Sequence, residues 1–480
     1  MANLALLKPE LALSALALGL LAADLLLPAA RKRALYVLAI LACGIALALT
    51  GSALLRPAPL AGVGALWAVD PFSLFLKAVV LVSAVLALLL TMDDASIPDA
   101  EAGSFSALLL LSVAGMMFLV SATDLLLIFV SLELVSIASF ILAGYERRNP
   151  KSNEGALKYF IFGAFSSAVM AYGISLFYGA TGATTLVAAK PQAALALTGL
   201  LFILVGFGFK AAIAPMHFWV PDAYEGAPTP VTAFLSVAPK LAAMGALARL
   251  LVALIPASSV DLTLLLSLLC GLTMTVGNLV ALFQRNIKRL LAYSSIAQAG
   301  TIMMGIVTGD AMGVQGILIY SFVYVAMNIG AFAVANALGV ERASHGAGHG
   351  GDPYDLDSFN GLAERSLPAA LAMTFFLLSL AGIPPLAGFI GKFYLIGSAV
   401  GTHHYGLAVV AVLNSVIAVY YYMSVAYRMF FTPAKKGALA PTFGPCVYTT
   451  AVLALAVTLF FGVFPHRLAV WAQFSAKFLP

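Results

Sequence analysis

The sequence predicts an all-α polytopic membrane protein, and three observations carry that prediction. The 480 residues are 62% hydrophobic and only 9% charged, with a mean hydropathy of +1.03, whereas a soluble globular domain is roughly 25% charged. The apolar stretches are continuous runs near the roughly 20 residues a helix needs to cross a bilayer. A transmembrane β-barrel would show shorter, alternating segments instead. The basic residues stand in short clusters between the runs, as loop anchors do. The net charge of +5 and pI near 9.0 therefore do not point to nucleic acid.

The first spans fall at 10–28, 34–54 and 71–92. The stretch 105–143 is too long for one crossing, and Ser121, Thr123 and Asp124 interrupt it, so it divides into spans 4 and 5. Spans 6 to 14 follow at 154–179, 196–220, 229–254, 261–283, 288–308, 313–338, 367–398, 404–430 and 446–465. Counted alternately, one face receives Arg31-Lys32-Arg33, the run Glu146 to Lys151, the run Arg285 to Arg289, and Arg428 with Lys435 and Lys436. The other face has Lys8, Arg56, Lys190, Arg467 and Lys477. The positive-inside rule puts the basic face in the cytoplasm and both termini outside. An error of one span would mix the two sets, so the loop charges support a count of about fourteen. The first run reads as a retained helix, because its basic cluster follows the apolar stretch, the reverse of a secretory signal.

No redox cofactor, nucleotide or metal is expected on this chain. Cys43, Cys270 and Cys446 are isolated, and neither a CxxC pair, a GxGxxG turn nor a P-loop occurs. The Gly-rich stretch His345 to Gly351, in the hydrophilic loop 339–366, reads as a solvated linker. The tail 466–480 is amphipathic and is placed at the outer surface.

Spans 7 and 12 are broken by proline, at Ala214-Pro215 and at Ala381-Gly382-Ile383-Pro384-Pro385. Proline removes a backbone donor and clashes with the preceding turn, and unwound backbone at membrane depth is tolerated where it is buried or lines a wet cavity. The segments after the two breaks align, with Pro215 over Pro385, an aromatic and a Tyr in register, and Asp222 over Lys392. Five spans separate them, an odd number, so tandem five-span units have opposite orientation. That is the inverted-repeat signature of transporters. The organisation predicted is 1–104 for spans 1–3, 105–254 for a first repeat (spans 4–8), 261–430 for a second (spans 9–13), and 446–480 for span 14 and the tail.

Ionisable residues inside such spans are functional candidates. They are Glu133 in span 5, Lys158 in span 6, Lys210 in span 7, Lys240 in span 8 and Lys392 in span 12. Lys77 is expected to snorkel to the interface, and Asp24 to be a helix-end polar group. Desolvation disfavours a buried ammonium and a nearby carboxylate restores it. Glu133 and Lys210 are suited to such a pair, and a change in their distance would move a proton on to Lys240 and Lys392. His217, Tyr224, Ser131, Thr232 and Ser236 are placed to bridge gaps with water. The pattern is a proton wire rather than a bond-making or metal site, since protonated lysine is a poor ligand.

The runs PMHFWVPDAYEGAPTPVTAFLSVAPK (215–240) and NIKRLLAYSSIAQAG (286–300) resemble the antiporter-like subunits of respiratory complex I, the proton-translocating NADH:quinone oxidoreductase. The resemblance covers about residues 65–465. YEGAPTPVTAFLS looks like the N type rather than the L or M types. Lys392 stands where the M type is expected to carry Glu, and no long lateral helix like that of the L type follows span 14. The resemblance implies fourteen helices with inverted repeats in spans 4–8 and 9–13. It makes Glu133 and Lys210 a modulating pair, Lys240 the central proton carrier, Lys392 the gate to the outer half-channel, and Lys158 part of the inner path. Gln298 is a departure, because many relatives have His there, and an amide cannot titrate. The implied complex holds FMN, iron–sulfur clusters, NADH and a quinone in other subunits. The implied partners are an M-type subunit and small K- and J-type subunits, in a bacterial cytoplasmic (inner) membrane with periplasmic termini. The competing readings are an Mrp-type cation/proton antiporter subunit, a ferredoxin-, F420H2- or formate-linked pumping complex, and a structural membrane subunit.

Overall fold

A computed structural model describes residues 6–54, 66–186, 194–254, 261–345, 352–434, 440–477 and 479. The helices run α1 Lys8–Leu26, α2 Ala34–Leu54, α3 Pro71–Met92, α4 Ala102–Ser121, α5 Leu125–Ala143 and α6 Pro150–Thr181. They continue with α7 Ala194–Ala211, α8 Val220–Gly226, α9 Thr229–Leu254, α10 Thr263–Ala281, α11 Ile287–Thr308 and α12 Ala311–His345. The last are α13 Leu362–Arg365, α14 Leu367–Ala381, α15 Ala387–Gly401, α16 Tyr405–Phe431, α17 Pro445–Val463 and α18 His466–Ala476. Among the described residues, thirteen helices are long and apolar enough to cross a membrane, and the shorter apolar pair α14 and α15 makes one further, broken passage. This agrees with the expected count of about fourteen.

The predicted divisions have local causes. Asp124 separates α4 from α5 because its carboxylate caps α5, accepting from the Leu126 and Leu127 amides at 2.9 and 3.3 Å and from the Thr184 hydroxyl at 2.6 Å. Span 7 breaks after α7, where Ala212 turns into the left-handed region (φ 62°), and resumes as α8. Span 12 breaks after α14 at Gly382 (φ 87°). The halves are unequal: α8 has 7 residues and α15 has 15. Pro228 and Pro230 follow α8 at once and bar its extension.

The helices sort into a buried centre and an apolar rim. Helices α9, α11 and α12 are almost wholly enclosed, while α1, α2, α10, α16 and α17 turn most of their residues outward. Rim side chains such as Leu268, Val416, Tyr420 and Phe460 are exposed, as a lipid-facing surface requires. Loop and side-chain placement differ from the sequence expectation in several places. Helix α12 runs on to His345, seven residues into the expected loop, since Glu341, Arg342 and Ala343 favour helix. The loop also contains the short helix α13. The Gly346–Gly351 part of the expected linker lies outside the described residues.

Lys77 does not snorkel. It is fully buried and its ammonium meets the equally buried Glu10 of α1 at 2.5 Å. Arg249, on the enclosed α9, pairs with Asp70, the N-cap of α3, at 2.8 Å. Lys288, counted above among loop anchors, is buried, donating to the Ala227 carbonyl at 2.6 Å. Asp24 ends α1 with a 2.9 Å ion pair to Lys32.

Breaking a buried pair leaves an uncompensated charge, a loss of roughly 3–5 kcal/mol. Glu10→Ala is therefore expected to lower the thermal stability of the detergent-solubilised protein strongly. The double change Glu10→Leu with Lys77→Met should restore most of it. An equal loss in the double variant would assign the effect to packing rather than charge.

Candidate functional site

Lys210, Lys240 and Lys392 are buried in the centre, each held by neutral oxygen atoms. Lys210 sits on the last turn of α7, where the helix dipole favours a cation. Its ammonium donates to the Tyr159 hydroxyl at 3.2 Å and lies 5.5 and 5.8 Å from the Tyr159 and Phe140 ring centres. Tyr159 stacks on Trp219 at 3.9 Å, and Trp219 donates across the break to the Phe209 carbonyl at 3.0 Å. Trp219 meets Tyr224 edge-on, and the Tyr224 hydroxyl donates to the Leu235 carbonyl of α9 at 3.0 Å. That carbonyl is free because Pro239, four residues on, has no amide hydrogen to offer it.

Lys240 follows Pro239. Its ammonium donates to both the carbonyl and the hydroxyl of Ser295 on α11, each at 2.8 Å. One turn along α11, the Gln298 amide donates to the Leu380 carbonyl at 3.0 Å and accepts from the Tyr320 hydroxyl. Lys392 donates to the same Leu380 carbonyl at 3.0 Å and to Ala381 at 3.1 Å. These are last-turn carbonyls of α14, left without helical partners by the break. Gly382 is required here twice over: its φ is left-handed, and a Cβ would press on the Lys392 side chain at 2.8 Å. Two hydrogen-bonded groups thus lie one turn of α11 apart, Lys240 with Ser295 and Gln298 with the Leu380 carbonyl that Lys392 shares.

The remaining candidates make other contacts. Glu133 accepts from the Ser167 hydroxyl and forms no ion pair with Lys210, whose partner is Tyr159. It is half-buried, on a face of α5 where Val130 and Ile137 are exposed. Ser131 shares that helix, and Thr232 donates to the Tyr224 carbonyl at 2.8 Å. His217 is buried within the first break beside Phe218, with Nδ1 unpartnered. Lys158 is partly exposed and belongs to an ion cluster, with Glu154 at 2.6 Å and Asp222 at 2.7 Å. Arg289 closes that cluster on Asp222 and Glu225 at 2.6 and 2.8 Å, and Lys151 joins Glu225 at 2.9 Å.

Sequence reasoning missed Tyr159, Ser295, Tyr320 and Tyr324, whose hydroxyl donates to the Ser236 carbonyl at 3.3 Å, as members of the site. One signal was present: Tyr320, Tyr324 and Asn328 recur every four residues, which puts polar groups along one side of an apolar helix. Asn328 donates to the Ser236 hydroxyl at 2.6 Å, one turn from Lys240. No group of three or more His, Cys, Asp or Glu suited to a metal occurs among the described residues.

A profile of the NADH:quinone oxidoreductase/Mrp antiporter transmembrane family matches residues 122–418, which contain the two breaks and Lys210, Lys240 and Lys392. The chain belongs to that family. It is 41% identical over 493 residues to the NADH-quinone oxidoreductase subunit N of Trichlorobacter lovleyi, with 99% of this chain and 98% of the relative covered. The subunit N of Moorella thermoacetica is 40% identical, with 99% of both chains covered. A chain of Thermus thermophilus respiratory complex I with bound aureothin superposes with a TM-score of 0.83 at 32% identity, covering 96% of this chain and 98% of that one. A chain of the Mrp complex from Dietzia sp. DQ12-45-1b has a TM-score of 0.84 at 21% identity, over 98% and 97% of the two chains, and shares the fold. The family's membrane character matches the thirteen long apolar helices.

Asp222 and Glu225 lie on the short α8, outside the long apolar helices. Burial raises both carboxyls, but Lys158 and Arg289 at Asp222, and Lys151 and Arg289 at Glu225, hold them below their usual range. Depressed folded-state values mean that the stabilisation is fully present above ordinary carboxylate values, about 4, and is lost as the pH falls below them. Thermal stability in detergent is expected to fall as the pH is lowered from about 5 to about 2. Asp222→Asn combined with Glu225→Gln should flatten that fall. An unchanged pH profile in the double variant would locate the acid sensitivity elsewhere.

Proposed function

We propose that this chain is the N-type antiporter-like subunit in the membrane arm of a proton-translocating NADH:quinone oxidoreductase. It moves protons from the cytoplasm to the outside, driven by electron transfer in other subunits. The observation that carries this reading is the placing of Ser295, which binds Lys240, one turn of α11 from Gln298, which binds the carbonyl that also holds Lys392. A lysine held by neutral oxygens can release a proton without leaving a broken ion pair behind. Each of these groups offers an oxygen or amide that hydrogen-bonds water, so a proton leaving Lys240 has somewhere to go.

In this reading Lys240 is the central carrier and Lys392 the gate toward the outside. Lys210, on its broken half-helix, responds to Glu133. Those two residues need an approach of the α5 and α7 side chains to form a direct pair. Lys158 collects protons at the basic face through Asp222. Tyr224 and Gln298 hold water and orient neighbours without titrating, and His217 supports the first break. Residues 105–254 and 261–430 act as inverted units around the two breaks, with 1–104 and 446–480 flanking them.

The half-buried Glu133 on an otherwise apolar face implies a neighbour that covers it, because a bare carboxylate in lipid costs a few kcal/mol. Small K- or J-type subunits suit that face, with an M-type subunit elsewhere on the rim. FMN, iron–sulfur clusters, NADH and quinone belong to other subunits. The chain is placed in a bacterial inner membrane, basic face to the cytoplasm and termini to the periplasm.

Lys240→Ala and Lys210→Ala are expected to assemble into the complex but to reduce NADH-driven proton pumping by roughly tenfold or more, as loss of a proton-transferring group does. Pumping is read from acidification inside inverted membrane vesicles. Normal pumping with both alanine variants assembled would sink the proton-wire reading.

A further inference from the structure

The hydrogen bonds described above anchor Lys240 on α11 and Lys392 on α14 but leave open how water reaches them. A cavity of about 610 Å³ opens on the basic face, bounded by Thr229, Lys288, Gly339 and Tyr354. Four carboxylates, Asp94, Glu146, Glu225 and Asp352, face two ammonium groups there, Lys151 and Lys288, so the mouth attracts cations. Burial pushes the Asp94 carboxyl up, against its bonds from Ser96. The inner wall is Tyr354, whose hydroxyl takes a 2.7 Å hydrogen bond from Thr229. The same hydroxyl lies against α12 at Gly339, where a Cβ would come within 2.3 Å of it.

Asn336 precedes Gly339 by three residues and so lies on the same side of α12. It is fully buried, and neither its amide nitrogen nor its oxygen has a partner. Buried amides are almost always hydrogen-bonded, to protein or to ordered water. Two turns further, about 12 Å along the axis, Asn328 has an unpartnered amide oxygen while its nitrogen holds Ser236. Ser236 lies one turn before Lys240 on α9.

We propose that water enters past Lys288 and Tyr354, which close the inner end of the cavity with the ammonium 4.8 Å from the ring centre, and reaches Lys240 along α12, past Asn336 and Asn328. This rests on the proton-translocating reading for its purpose, and it makes Asn336 and Asn328 positioning residues of the inlet. The route is distinct from the Lys158–Asp222–Arg289 cluster.

The test uses the assembled complex in membranes, with Cys43, Cys270 and Cys446 replaced by alanine. Asn336→Cys and Asn328→Cys are exposed to Ag⁺ from the basic face. Thiols still free are counted with N-ethylmaleimide after unfolding. Reaction needs a thiolate and water, so both are expected to react roughly tenfold faster than Val334→Cys, a buried position on the opposite side of α12. Asn336→Cys should react ahead of Asn328→Cys. If both react no faster than Val334→Cys, the inlet is overturned. If Asn336→Cys fails to accumulate, Asn328→Cys decides alone. The labelling does not depend on turnover, so normal pumping by Lys240→Ala would defeat the proton reading and leave the inlet result standing.

Discussion

An ammonium group at membrane depth must be met by oxygen atoms, and an intact helix offers few, although Lys240 shares the Ser295 carbonyl inside α11. Every interior carbonyl of an α-helix is already engaged by an amide four residues on. This chain obtains free carbonyls by interrupting helices. The break after α14 exposes Leu380 and Ala381 to Lys392, and Pro239 frees the Leu235 carbonyl for Tyr224. The positions of proline and glycine therefore place the acceptors of Lys392 and Tyr224, while Lys210 and Lys240 rely on Tyr159 and Ser295.

The three central lysines are solvated by neutral groups, whereas Lys77 and Arg249 are held by carboxylates. The difference has a physical consequence. An ion pair fixes a proton, since moving it leaves two mismatched groups in a low dielectric. Hydroxyls and carbonyls accept either protonation state of a neighbouring amine with less penalty. The pairs at α1, α3 and α9 are accordingly fastenings, whereas Lys210, Lys240 and Lys392 bind neutral oxygens. Glu133 stands on the α5 face, and Asp222 and Glu225 in the cluster closed by Arg289.

Gln298 illustrates how tertiary context changes the meaning of a residue. In sequence it was a place where a titrating side chain was missing. In the fold its amide joins the helix that holds Lys240 to the carbonyl that holds Lys392. A group with both donor and acceptor can orient such a junction without carrying charge.

The sequence by itself determined the class of fold, the crossings and the two breaks. Hydropathy, loop charge, proline and a capping aspartate act locally, and each can be read within a few residues. It also marked Lys210, Lys240 and Lys392 as too deep to be incidental. Only the tertiary structure decided their partners. Glu10 meets Lys77, and Ser295 meets Lys240, across helices distant in the chain, and no local pattern encodes which faces meet. For the same reason Lys288 read as a solvated anchor, although the fold encloses it. Depth in the membrane is a property of the local chain; the partner of a buried charge is a property of the packing.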